Sequence, residues 1–362
     1  MAKFRRNVKA SARGGRRAAD EGEGMLLAGD VGGTKTLLGI YEAAAPLPPA
    51  PERPRERHVR RFATTDYGSL DEIVSAFLAT LPAPVALDAA VLGVAGPVRD
   101  NASALTNVPW RVDGAAVAER FHVPAVRLVN DLVATGYAVP VLAPGERAVL
   151  QEGRPDAGGN AALIAPGTGC GEALLHRVDG RLVPVPSEAG HADFAARTPA
   201  EVRLLETLTA RFGRASYEHV LSGPGLGHLY AAAHAGGPCA AADTARSEPP
   251  APAAITEAAL AARCPRCVEA VDRFAAALGA EAGNLGLRSF ATAGVYIGGG
   301  IAPRILPRLR SAAFLDAFRA KGPMRALASD MPLVVIDAPH PALTGAAVAA
   351  AELASAAPRV SA

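Results

Sequence analysis

Long apolar runs, paired cysteines and an excess of charge of either sign are what this chain lacks, and each lack removes a class of function. No stretch of about 18 purely apolar residues occurs, and the Ala-rich tail at 342–357 is interrupted by Glu352 and preceded by Pro341, so no transmembrane helix and no membrane partner are expected. A formal net charge of +2 gives no sign of the basic surface that nucleic acid requires. Four cysteines, Cys170, Cys239, Cys264 and Cys267, make no disulfide framework for a chain of 362 residues. Cys264-Pro265-Arg266-Cys267 has the spacing of half a zinc site, but no second closely spaced Cys or His pair accompanies it. Reduced thiols in a cytoplasmic protein are therefore the expectation, and no metal ligand is assigned. Aromatic residues amount to 5% against abundant Ala, Arg, Gly and Pro, a bias of composition more than of function.

The first two dozen residues stand apart. Lys3, Arg5, Arg6, Lys9, Arg13, Arg16 and Arg17 all precede the first acidic residue, which predicts a disordered basic arm over 1–24. The arm has no apolar core segment and so does not read as a secretory signal; its Arg-rich character loosely resembles an organelle transit peptide, beside the plainer reading of a basic tail or a misassigned start. Folding is expected to begin at Met25.

Half of the residues are hydrophobic, enough to bury a full core, and the length suits two domains of roughly 100–200 residues each. Two glycine turns then dominate the chain. Asp30-Val31-Gly32-Gly33-Thr34 follows the apolar run Met25–Gly29 and leads into Thr36–Tyr41; Pro166-Gly167-Thr168-Gly169 follows Ala161–Ala165 and leads into Glu172–Leu175. Each predicts strand, turn, strand, and the second repeats the first after about 135 residues, close to one domain length. Glycines let successive backbone N–H groups converge on phosphate oxygens, and a threonine hydroxyl adds a donor. A single such turn is most often just a hairpin; a pair at equivalent places points to a nucleotide phosphate held between two lobes.

Short apolar runs at Val85–Gly93 and Ala125–Val129, separated by a helical stretch over Gly114–Phe121, predict an α/β layer. Helices are predicted over Ala200–Phe212 and Val268–Leu287, and a buried strand over Gly294–Ile297 runs into Gly298-Gly299-Gly300, a third place where backbone could approach a ligand. The Pro- and Ala-rich stretches 43–57 and 236–254 read as surface loops or insertions.

Candidate chemistry lies beside these turns. Asn130-Asp131 ends an apolar run, which puts the carboxylate at the C-terminal end of a strand, where open α/β sheets place ligands. Asp131 reads equally as a catalytic base or as the N-cap of a following helix, with Asn130 the other cap candidate. Ser187-Glu188-Ala189-Gly190-His191-Ala192-Asp193-Phe194 gathers two acids and a histidine among small residues, suited either to several sugar hydroxyls or to a solvated loop.

From Met25 to about Ala350 the chain resembles the bacterial glucokinases. The resemblance is carried, in order, by Gly29–Thr34, Leu105-Thr106-Asn107-Val108-Pro109-Trp110, Val129-Asn130-Asp131, Pro166–Gly169, Glu188–Phe194, Tyr217-Glu218-His219-Val220-Leu221-Ser222-Gly223-Pro224-Gly225-Leu226 and Gly298–Arg304. It implies an actin-like ATPase (ribonuclease H-like) fold: a basic arm (1–24), a small α/β lobe (25–141 plus 338–362) and a large α/β lobe (142–337) around a cleft. It implies ATP-dependent phosphorylation of glucose with Mg2+, in a cytoplasmic homodimer. By motif, Asp131 becomes the general base, and Asn107, Asn130, Glu188, His191 and Glu218 become partners of the sugar hydroxyls. Asp30, Gly32, Gly33 and Thr34 would meet the β- and γ-phosphates, Asp30 reaching the metal ion through water; Gly167 and Thr168 would hold phosphate from the other lobe, and Gly299 and Gly300 would lie beside the adenosine.

The chain departs from the family pattern at Ser187 and Ala189, where glycines are frequent, and at Lys35, where Asn is common. The Cys-x-Cys-Gly zinc motif of the related repressor and sugar-kinase family is absent, and no helix-turn-helix precedes the first glycine turn, which speaks against a transcriptional regulator. A kinase for another hexose or amino sugar, and a sensor that keeps the cleft without turnover, remain as alternatives.

Overall fold

A computed structural model describes residues 24–42, 51–105, 108–239 and 250–356. The basic arm, apart from Gly24, and the sugar candidate Asn107 lie outside the described residues.

Two sheets organise the chain, and both repeat one plan. The first has the order β3-β2-β1-β4-β7, with β1 (Met25–Val31), β2 (Lys35–Glu42), β3 (Arg55–Ala63), β4 (Ala89–Val94) and β7 (Val126–Asn130). The second has the order β11-β10-β9-β12-β13-β8, with β9 (Ala161–Pro166), β10 (Cys170–Val178), β11 (Arg181–Ser187), β12 (Gly294–Ile297), β13 (Leu333–Ile336) and, at its edge, β8 (Arg147–Gln151). In each, three antiparallel strands meander and two further strands join parallel to the first of them. The predicted strand–turn–strand units are the β1–β2 and β9–β10 hairpins. Their β-branched and leucine-rich runs are buried on both faces, as helix-covered sheets require. A small ribbon, β5 (Ala102–Ala104) with β6 (Arg111–Asp113), stands apart.

Helices cover both sheets. On the first, α1 (Leu70–Leu78) and α2 (Gly114–Phe121) pack on one face, while α3 (Asp131–Ala138) and α11 (Pro341–Ala356) pack on the other. On the second, α4 (Pro199–Phe212), α5 (Gly223–His234), α6 (Pro252–Leu260), α7 (Pro265–Ser289) and α9 (Ala312–Arg319) build the largest core, with the short α8 (Leu306–Leu309) and α10 (Arg325–Asp330) at its rim. The helix α3 belongs to both halves. Val133 and Ala134 enter the core under the first sheet, whereas Leu132 enters a core formed by Leu163, Ala173, Leu175 and Ile336 of the second.

The helices expected from periodicity are present, with α2 spanning the predicted residues. The loop reading of 43–57 and 236–254 needs correction at its ends. Arg55–Arg57 open β3, an edge strand whose four arginines are exposed while His58, Val59 and Phe62 are half-buried, and Pro252 begins α6, whose Ile255, Ala258 and Ala259 are buried. Proline at a first helical position is compatible with a helix start, since its missing N–H has no intrahelical partner there.

Candidate active site

The parallel strands β1, β4 and β7 end side by side, and the candidates Asp30, Asn130 and Asp131 sit at those ends. Asp30 pairs in register with Gly93 of β4, and Val94 with Asn130 of β7. A Cβ at Gly93 would lie 3.0 Å from the Ala134 Cβ, so this glycine lets the first turn of α3 settle against the sheet. Asn130 is the N-cap. Its Oδ1 accepts from the N–H of Leu132 at 2.9 Å and of Val133 at 3.4 Å, and its Nδ2 donates to the Gly96 carbonyl at 3.4 Å. One amide hydrogen is left for a ligand. Asp131 is the first helical residue, its Oδ1 accepting from the Leu132 N–H at 2.8 Å. Of the two cap candidates it is Asn130 that caps the helix, and Asp131 stands at its positive end.

Burial pushes the Asp131 carboxyl up to about 6, and the negative charges of Asp30 and Glu188 push the same way against the Leu132 N–H. Asp30 is raised as well, mainly by burial, with the Lys35 ammonium opposing. Lys35, the residue that departs from the family pattern, therefore contributes positive charge beside the first glycine turn.

That turn is closed by the Gly32 N–H donating to the Lys35 carbonyl at 3.0 Å. It is braced from a distance by Thr64, which sequence reading missed: the hydroxyl donates to the Gly32 carbonyl at 2.8 Å, lies 2.9 Å from the Thr36 hydroxyl, and the Thr64 N–H reaches the Thr34 carbonyl at 3.0 Å. No local signal marks Thr64, because its partners lie 28 and 32 residues away.

The second turn is built likewise. The Gly167 N–H donates to the Gly169 carbonyl, and the Gly167 carbonyl accepts from Gly223 at the start of α5, both at 2.8 Å. The third glycine segment seats directly on it, since a Cβ at Gly299, where φ is +78°, would lie 2.2 Å from the Pro166 carbonyl oxygen. Thr34, Thr168 and Gly300 point at open space or solvent.

The sugar-binding candidates Glu188, His191 and Glu218 gather beside this turn. Glu218 is held by its own backbone, donating to the Gly190 carbonyl at 2.8 Å, and its Oε2 accepts from the Cys170 N–H at 3.1 Å. His191 Nδ1 lies 3.9 Å from Glu218 Oε1. A Cβ at Gly190 would sit 1.7 Å from the Cys170 carbonyl oxygen, so position 190 admits only glycine, whereas the neighbouring Ala189 is accommodated. The second acid of that loop, Asp193, pairs with Arg214 at 2.6 Å, and the same guanidinium donates to the His191 carbonyl at 2.7 Å.

The four cysteines form no disulfide. Cys239, Cys264 and Cys267 lie together with His234, while Cys170 is buried at the second turn.

Known proteins resemble this chain over most of its length. A family model described as Glucokinase matches residues 27–353. The chain is 35% identical to a glucokinase of Nostoc punctiforme, over 91% of this chain and 99% of that protein. It superposes on the crystal structure of a glucokinase from an Antarctic psychrotroph with a TM-score of 0.79, at 31% identity over 91% of this chain and 99% of that one. A ROK family glucokinase from Streptomyces griseus, in complex with glucose and AMPPNP, shares the fold with a TM-score of 0.59 at 19% identity, covering 91% of this chain and all of that one.

Proposed function

This chain belongs to the glucokinase family, and we propose that it transfers the γ-phosphoryl group of ATP to the 6-hydroxyl of glucose, giving glucose 6-phosphate and ADP. One observation carries the residue assignment: Asp131 stands at the C-terminal end of β7, part-buried, with its carboxyl pushed up to about 6 and Asp30 and Glu188 acting on it. A carboxylate tuned towards neutrality takes a hydroxyl proton more readily than a solvated aspartate, and as a base it needs only to be within hydrogen-bond reach.

Phosphoryl transfer depends on positioning and on charge stabilisation rather than on covalent participation. Asp131 takes the proton of the 6-hydroxyl as the oxygen attacks the γ-phosphorus. Asn107, Asn130, Glu188, His191 and Glu218 orient the sugar, and an analogue that lacks or inverts a hydroxyl leaves one of these groups unpaired. Gly32, Gly33 and Thr34 of the first turn and Gly167 and Thr168 of the second meet phosphate from the two sides, with Gly299 and Gly300 beside the adenosine. Asp30 offers a carboxylate stripped of solvent by burial and set beside Asp131, a hard oxygen donor that suits Mg2+ held through water. When bound, Mg2+ would neutralise charge on the β- and γ-phosphates.

The lobes assigned to 25–141 plus 338–362 and to 142–337 close on the sugar and exclude water from the γ-phosphoryl group. The cytoplasmic homodimer belongs to the same reading, and light scattering of the purified chain tests the dimer.

The deciding experiment is ATP-dependent phosphorylation of glucose, mannose, fructose, glucosamine and N-acetylglucosamine, read as ADP released and sugar phosphate formed. Glucose is expected to dominate. Turnover confined to another sugar would move the specificity and keep the kinase; sugar binding without turnover on all five would overturn the reading in favour of a sensor.

A further inference from the structure

We propose that His234, Cys239, Cys264 and Cys267 form a structural zinc site that ties the C-terminal end of α5 to the start of α7. The four side chains come from three separate places in the chain and are buried, with exposures of 3%, 7%, 5% and 0%. Their ligand atoms all lie within 4.8 Å of one another. Cys239 Sγ is 3.7 Å from Cys264 Sγ and 3.5 Å from Cys267 Sγ, and Cys264 Sγ is 3.5 Å from His234 Nε2. A tetrahedral zinc ion with bonds of about 2.3 Å to sulfur and about 2.0 Å to nitrogen sets its ligand atoms roughly 3.5–3.8 Å apart. Three of the six separations already match that coordination sphere.

A disulfide would need sulfurs at about 2.05 Å, and the cysteines form none. Such a bond would join only two of the three sulfurs. Three cysteines and a histidine are a recognised closed ligand set for structural zinc, leaving no position for substrate or water.

Two features outside the ligand set point the same way. His234 Nδ1 donates to the Tyr230 carbonyl at 2.9 Å, which fixes the tautomer and leaves Nε2, the nitrogen facing the sulfurs, with its lone pair. Metal-bound histidines are held by this kind of outer contact. The Tyr230 ring stacks on the imidazole with centroids 3.9 Å apart. The Cys264-Pro265-Arg266-Cys267 turn also aims the backbone N–H groups of Arg266 and Cys267 at the Cys264 sulfur. Arg266 donates to the His234 carbonyl at 2.6 Å, placing a cation beside a centre whose three thiolates and one Zn2+ sum to a single negative charge.

The place of the site in the fold gives its role. The opposite end of α5 begins at Gly223, whose N–H holds the Gly167 carbonyl of the second phosphate turn. A metal at His234 would thus clamp the far end of the helix that supports the turn, together with α6 and α7 in the same core. The role is structural and independent of the identity of the sugar.

The test is metal content of the full chain, purified in reductant without chelator or added metal. One zinc per chain is expected, released by an organomercurial in step with loss of thiolate. Growth with Co2+ should give the thiolate charge-transfer and tetrahedral d–d absorption of a cobalt–sulfur centre. Cys264→Ser should lose the metal and His234→Cys should keep it, so a variant that fails to fold is not the sole readout. A folded, metal-free wild-type chain that takes up neither Zn2+ nor Co2+, or one whose mass reveals a disulfide among these cysteines, would overturn the site.

Discussion

Gly345 of α11 touches the backbone of α3 at Ala134: a Cβ at position 345 would lie 1.8 Å from the Ala134 carbonyl oxygen and 2.8 Å from the Ala138 nitrogen. The overlap is with backbone, which has no rotamer to yield. Ala134 is one helical turn from Asp131, and α3 enters the cores of both sheets, so this crossing sets where the proposed base stands. Gly345→Ala is expected to push the helices apart, costing about 1–3 kcal/mol or more. It should lower both the melting temperature and kcat; a variant with wild-type values of both would show that the crossing is slack.

Asp131→Asn should reduce kcat by about 10²–10⁴-fold while glucose still binds. In the wild type, kcat/KM should fall as the pH drops through about 6, where the carboxyl becomes protonated. The same raised value has the opposite sign for stability. Because the folded carboxyl titrates above the ordinary 3.8, its ionised form disfavours the empty folded state at pH 8, and that penalty fades as the pH falls from about 6 towards 3.8. The neutral asparagine removes it. The inactive variant should therefore be more stable than wild type at pH 8, by roughly 1–3 kcal/mol, as read by urea denaturation without ligands. Undiminished turnover would remove Asp131 from the role of base.

Thr64→Val keeps shape but deletes the hydroxyl that joins the Gly32 carbonyl and the Thr36 hydroxyl. A lost buried hydrogen bond costs about 1–2 kcal/mol. The expected reading is a KM for ATP raised roughly tenfold with a smaller change for glucose. Equal effects on both substrates would mean that Thr64 supports the fold as a whole rather than the turn.

Glu172 is buried on β10 with neither carboxylate oxygen hydrogen-bonded among the described residues, and Arg288 is 3.7 Å away. Burial pushes it up to about 7, against the opposing guanidinium. A folded value above the ordinary 4.5 means that the contribution of Glu172 to stability is full below 4.5 and is lost as the pH rises through about 7. Glu172→Gln should melt above wild type at pH 8, with the gap shrinking as the pH falls towards 4.5. A gap that does not change with pH would show that the effect is packing and not charge.

The glycine turns were legible in the sequence because their requirement is local. Gly32-Gly33-Thr34 and Gly167-Thr168-Gly169 join adjacent antiparallel strands, so strand, turn and strand appear consecutively along the chain. The position of Asp131 was readable for a similar reason: an apolar strand ends where a capping asparagine begins a helix. The need for glycine at 190 and 345 was not readable, because the atoms that forbid a Cβ belong to Cys170 and Ala134, far away in the chain. Thr64 was silent for the same cause.

The cluster of His234, Cys239, Cys264 and Cys267 marks the boundary most clearly. Sequence spacing exposed one Cys-x-x-Cys pair and stopped there. Its two partners sit at and just beyond the C-terminal end of α5, and only the packing of α5 against α7 brings them within 4.8 Å. The sequence by itself determined the turns, the strand that delivers Asp131, and the family, because each depends on residues close together in the chain. Tertiary structure alone decided which helices touch, which carboxylates feel one another and which thiols meet, because those energies depend on distances of a few ångströms between segments that the sequence separates by tens to hundreds of residues.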